Sequence, residues 1–185
     1  MGYVALLRGI NVGGKAKLPM IQLAAIFEEA GAKEVRTYIQ SGNVLFEASD
    51  EAAMVSAVTR EIAARYGYPG KIVLRSGAEL QAAMENNPFA GAGVPAETLH
   101  VYFLNDFPDA AAVKGLDANR SPGDSFVVRA REVYLHLPNG MARTKLTNVY
   151  FDTKLKTVST ARNWKTVTKL AEMLREMAGR TKRIR

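Results

Sequence analysis

The chain contains no cysteine. Disulfide scaffolds, thiolate metal sites and cysteine nucleophiles are therefore excluded. Histidine is nearly as scarce: His100 and His136 are the only 2 in 185 residues, too few for a multi-histidine centre. Neither a metal nor a cofactor is expected. No apolar run approaches the roughly 20 residues that a membrane-spanning helix needs. The N-terminus has neither a basic n-region nor a cleavable apolar segment. A cytoplasmic protein with no membrane partner is the expectation. Acidic groups are the minority charge, 18 against 25 basic ones, giving a formal net charge of +7. The last six residues, Arg180 to Arg185, hold four of those cations and no acid, so taking them from +7 leaves +3 for the rest. A protein that coats nucleic acid usually carries a denser basic stripe. The tail reads either as a solvated end or as an electrostatic arm for a polyanion.

What is present is an ordinary globular composition, 48% hydrophobic and 23% charged, which rules out a disordered chain. The length suits one domain or two small ones. Residues 3–10 read as a strand by their apolar run. Residues 11–17, NVGGKAK, are a glycine-rich loop, and Pro19 opens a helix with Met20, Leu23, Phe27 and Ala30 on one face. Strands are expected at 35–40 and 44–47 around a tight turn at Ser41-Gly42-Asn43. Asp50 caps a second helix with Met54, Val58, Ile62 and Tyr66 inward, and Gly67 ends it. A strand at 71–75 precedes a capping box, Ser76 with Glu79, which starts a helix that stops before Pro88.

The second half repeats the order. Strands are expected at 98–105, at 125–130 with 132–137 as a hairpin, and at 157–160. Helices are expected at 109–116, near 145–155, and from Asn163 onward with Trp164, Val167, Leu170, Ala171 and Leu174 inward. The expected fold class is α+β: two ferredoxin-like β-α-β-β-α-β units in tandem plus a C-terminal helix. The expected domains are residues 1–93, residues 98–179 with the terminal helix, and a basic tail at 180–185. In such a unit, strands one and two run parallel with strand three between them. One sheet edge then collects Arg8, the glycine loop and the Gln40-Ser41-Gly42-Asn43 turn. In the second half, Lys145 and Thr147 are expected near Thr160, Arg162 and Asn163.

These two clusters carry the chemistry on offer. Residues 9–16, GINVGGKA, fit G-x-x-x-x-G-K between a strand and a helix, where backbone amides favour anions. Ala16 stands where a magnesium-binding Ser or Thr would be, and the surrounding pattern is not an all-parallel sheet. The loop reads as an anion site without hydrolysis or as a plain connection. Arg8 breaks an apolar strand, so it needs either a carboxylate partner or an open cleft. Asn43 serves plain turn chemistry or a ligand. Asn163 reads as a helix cap or a ligand contact, Trp164 as core or platform, and Arg162 as a cation beside a helix N-terminus. Lys145 could reach the same pocket.

Four blocks, residues 6–20 (LLRGINVGGKAKLPM), 37–46 (TYIQSGNVLF), 145–148 (KLTN) and 160–170 (TARNWKTVTKL), together resemble the bacterial family known as domain of unknown function 1697. The resemblance covers nearly the whole chain. It implies a two-part α+β fold of ferredoxin-like units and no activity, since the family is uncharacterised. Its motif positions fall on Arg8, Gly9, Asn11, Gly13, Gly14, Gln40, Ser41, Gly42, Asn43, Lys145, Arg162, Asn163 and Trp164.

The leading expectation is a cationic cleft for a small phosphate- or carboxylate-bearing ligand, with a nucleotide the preferred class. Arg8, Lys15 or Lys17, Lys145 and Arg162 supply charge, Gly13 and Gly14 supply amides, and Asn11, Gln40, Ser41, Asn43, Asn163 and Trp164 complete the candidate set. Nucleic-acid binding is the alternative. A transferase or hydrolase acting on a phosphorylated substrate is the third, although no nucleophile or base stands out. Oligomeric state stays open.

Overall fold

A computed structural model describes residues 1–11 and 17–183. The elements of the first half are β1 (Gly2–Leu7), α1 (Met20–Glu29), β2 (Lys33–Tyr38), β3 (Asn43–Glu47), α2 (Glu51–Tyr66), β4 (Ile72–Ser76) and α3 (Gly77–Glu85). The second half holds β5 (Leu99–Leu104), α4 (Ala110–Lys114), β6 (Ser125–Arg129), β7 (Glu132–His136), α5 (Asn148–Leu155), β8 (Ser159–Asn163) and α6 (Trp164–Arg183). The fold is mixed α+β, with two four-stranded antiparallel sheets and a C-terminal helix. The strand orders are β2-β3-β1-β4 and β6-β7-β5-β8. No helix among the described residues is long and apolar enough to cross a membrane.

Local chemistry sets the helix starts. Asp50 accepts from the Ala53 N–H at 2.9 Å, and Thr147 accepts from Tyr150 N at 3.2 Å. Asp109 accepts from Ala111 N and Ala112 N at 2.8 and 3.1 Å. Ser76 and Glu79 form the reciprocal box: Ser76 N donates to Glu79 Oε2 at 2.8 Å and Glu79 N to Ser76 Oγ at 3.2 Å. Each cap satisfies amides the helix leaves open and is worth about 1 kcal/mol.

Several boundaries differ from the expected ones. β1 stops at Leu7 rather than residue 10, because the chain turns away through Gly9 and Asn11, both at positive φ. β2 spans Lys33–Tyr38 rather than 35–40, with a register shift after Lys33, Glu34 at φ 52° and Ile39 at φ 48°. α5 begins at Asn148 rather than near 145, since Thr147 caps it. β8 is Ser159–Asn163 rather than 157–160.

The compact units are Met1–Gln81 with Lys169–Arg185, and Ala82–Thr168. In the first, Tyr3, Ala5, Leu7, Val44 and Phe46 point to one sheet face and pack with Leu23, Phe27, Val58 and Ile62 of α1 and α2. The Phe27 and Phe46 rings lie 5.0 Å apart. Gly2, Val4 and Leu6 alternate onto the opposite face, where a β-carbon built on Gly2 would lie 3.6 Å from Leu174 Cδ2 of α6. The terminal helix, expected to belong with the second half, therefore lends Lys169 onward to the first unit.

In the second unit Tyr102, Leu104, Val133 and Leu135 pack with Tyr150, Phe151 and Leu155. Phe151 sits edge-on to Tyr102, Phe126 and Tyr150 at 5.5, 5.4 and 5.1 Å. His100 on β5 is half-buried, and its Nδ1 has no hydrogen-bond partner. Burial pushes its pKa below the ordinary 6.5, against a smaller raising effect from a backbone hydrogen bond at Thr98. The unfolded chain then takes up this proton first as pH falls. Stability is therefore full above about pH 6.5 and declines below it, toward the lowered folded value. Urea midpoints measured from pH 8 to pH 5 will fall in this window, and His100→Gln will flatten the decline. An unchanged slope in the variant would assign the acid sensitivity elsewhere.

Candidate functional site

Antiparallel pairing brings the end of β1 and the β2–β3 turn to one edge of the first sheet. Leu7 N donates to Gly42 O at 2.8 Å, and Arg8 N donates to Lys71 O at 2.9 Å. Three separate stretches are thus stitched together by main chain alone. Arg8 lies just past the strand and is half-buried, and Lys71 is exposed.

Asn11 ties the edge together. Its Oδ1 accepts from Leu18 N at 2.9 Å, while its Nδ2 donates to Leu18 O at 2.8 Å and to Gln40 O at 3.0 Å. One side chain thus joins Asn11 to Leu18 and to the neighbouring turn. Its φ of 56° is a conformation that asparagine tolerates better than most residues. Asn11, expected to face a ligand, spends its amide as a brace. Gly13, Gly14 and Lys15 lie outside the described residues. Lys17 is exposed, and Leu18 beside it is buried and anchors the return.

The β2–β3 turn is equally determined. Asn43 is fully buried, and its Nδ2 donates to Tyr38 O and to Ser41 Oγ, both at 3.0 Å. That is turn chemistry. Gly42 has φ 73°, and a β-carbon there would stand 2.8 Å from Leu7 Cβ and from Ile10 Cδ1. Gln40 is exposed and Ser41 half-buried.

Two features escaped the sequence. Lys169 of α6 lies close enough to Tyr38 to interact electrostatically, and its ammonium pKa is raised, chiefly by a 2.9 Å bond to Glu172. It brings a cation to the end of β2 from far along the chain, a placement with no local signal. Ile39, a strand residue by its sequence, is instead the first residue of the turn, with φ 48° and 49% exposure. The edge therefore carries Arg8, Lys17 and Lys71, with Lys169 beside Tyr38. A half-buried guanidinium among further cations attracts anions more strongly than scattered surface charge does.

In the second cluster Arg162 and Asn163 make contacts within the fold. Strand alternation puts Arg162 and Thr160 on one face of β8, and Arg162 is only 7% exposed. Its Nη1 donates to Thr160 Oγ1 at 2.8 Å and to Ala161 O at 2.7 Å. The sequence places it beside a helix N-terminus, and α6 begins two residues on, at Trp164. Asn163 caps α6, accepting from Thr166 N at 2.8 Å, and Trp164, the first helical residue, is half-buried. Lys145 is exposed, with its N–H on Ser121 Oγ at 3.0 Å and its carbonyl accepting from Arg120 Nε at 2.9 Å. Asn148 Nδ2 donates to Ser159 Oγ at 2.8 Å, so this segment is anchored at the start of β8. Arg162 and Asn163 stand about 10–13 Å further along that strand.

A family model described as Protein of unknown function (DUF1697) matches residues 1–134. That span includes the blocks at 6–20 and 37–46 and ends before those at 145–148 and 160–170. No curated protein matches the chain. Among solved structures it is similar to the conserved bacterial protein SP0830 from Streptococcus pneumoniae, with a TM-score of 0.74 and 26% sequence identity. The alignment covers 94% of this chain and 98% of that one.

Proposed function

The chain belongs to the DUF1697 family of proteins of unknown function, and from that premise we propose that it binds a small phosphate- or carboxylate-bearing ligand, preferably a nucleotide, at the sheet edge carrying Arg8. The observation behind this reading is the Asn11 brace, which ties Leu18 and the Gln40 turn together close in sequence to a half-buried arginine. Such a brace fixes the geometry of an edge rich in cations before any ligand arrives, and preorganisation of this kind lowers the cost of binding. We place the protein in the cytoplasm and read both halves as ferredoxin-like units. The strand orders β2-β3-β1-β4 and β6-β7-β5-β8 support that second reading.

The test is a thermal-shift panel of nucleotides, sugar phosphates and short oligonucleotides. A ligand present at 100 times its Kd stabilises by about 2.7 kcal/mol, or roughly 5–10 °C for a chain of this size. Arg8→Ala will abolish the shift and leave the unliganded midpoint within about 2 °C of the parent. A variant that melts much earlier on its own would make Arg8 a structural residue. An oligonucleotide response that collapses between 50 and 200 mM salt, with none from small anions, would favour the nucleic-acid alternative.

A further inference from the structure

We infer that Ile39 is a specificity element of this edge: an apolar surface that receives the uncharged body of a phosphate ester, so that the site prefers a nucleoside phosphate to a bare or sugar phosphate. The inference rests on the anion site proposed above and names its ligand class more narrowly.

Ile39 is unfavourable twice over. Its φ of 48° puts a β-branched side chain in the left-handed region, where the branched Cβ crowds the backbone. Burial does not compensate, because the residue is 49% exposed. Each other non-glycine residue at positive φ has a local reason. Asn11 is the brace, Glu34 lies within the β2 irregularity, Ala130 turns the β6–β7 hairpin, and Lys156 ends α5. Among the described residues Ile39 is the one β-branched side chain in this state. A turn wanting only shape would be served by Gly or Asn at that position. Strain retained at an exposed position is a mark of function.

Its position supplies the rest. Ile39 directly precedes Gln40, whose carbonyl the Asn11 brace holds, so its main chain is anchored in the β2–β3 turn. Tyr38 on its other side is fixed through its own carbonyl by Asn43. An apolar residue at the end of β2, next to the Tyr38 that Lys169 reaches electrostatically, complements a ligand with a charged end and an apolar body, as ligand sites commonly pair a few polar groups with an apolar wall.

Calorimetry on the full chain with adenosine monophosphate, ribose 5-phosphate and inorganic phosphate tests this. The parent should bind the nucleotide about tenfold tighter than ribose 5-phosphate. Ile39→Gly and Ile39→Asn should erase that preference while leaving the affinity for inorganic phosphate within about twofold, and Ile39→Leu should keep it. The inference is overturned if the parent binds all three equally, if the Gly and Asn variants retain the preference, or if they lose inorganic phosphate as well. Failure of every anion to bind the parent would remove the site itself, and the inference with it.

Discussion

Gly42→Ala is expected to destabilise the protein by about 3 kcal/mol. Two separate costs add. A φ of 73° is open to glycine, whereas an L-residue there costs roughly 1–2 kcal/mol. The new β-carbon would also stand 2.8 Å from Leu7 Cβ and Ile10 Cδ1. The Ile10 side chain can yield, but the Leu7 β-carbon is fixed to a central strand, so the turn must move. Overpacking of this kind costs about 1–3 kcal/mol. Gly67→Ala provides the comparison: its φ is 62°, and a β-carbon there meets nothing within 4 Å, so only the backbone cost of about 1 kcal/mol applies. Urea denaturation of the two variants separates the costs. Equal losses would show that the turn accommodates the extra carbon without strain.

Asn11→Ala is expected to cost about 2–3 kcal/mol. The side chain makes three main-chain hydrogen bonds. Its loss strands the amide and carbonyl of Leu18 next to a buried side chain, and an unmet buried group costs about 1–3 kcal/mol. Alanine is also less at ease than asparagine at a φ of 56°. Hydrogen exchange gives the direct readout, since the Leu18 amide should lose protection selectively while the β3 amides keep theirs. Retained protection at Leu18 would mean that the loop closes without the brace. The same variant should no longer respond to anions even where it remains folded.

Much of the fold was legible because its cues are local. Asp50 and Asn163 announce helix starts, Ser76 with Glu79 spells a capping box, and short β-rich runs separated by turns give the strands in order. The errors have physical reasons. Ile39 has a strand-forming side chain, so local propensity extended β2 through a residue that the turn holds at positive φ. Arg162 does stand beside a helix start, and the two-residue period of β8 sets it on the face of Thr160, which nearness alone does not tell. Of the site, the convergence of Arg8 with the Gln40 turn followed from strand order alone. The role of Asn11 did not, because a carboxamide matched to the backbone of Leu18 looks, in sequence, like one awaiting a ligand. Lys169 was invisible for a different reason. Nothing near it says that α6 returns to the first sheet.

That return orders events during synthesis. Residues 82–168 form one uninterrupted stretch, so this unit can close as soon as it leaves the ribosome. The unit begun earlier must wait for residues 169 onward, which complete it and set Leu174 against Gly2 at the start of β1. The part translated first is therefore the part finished last.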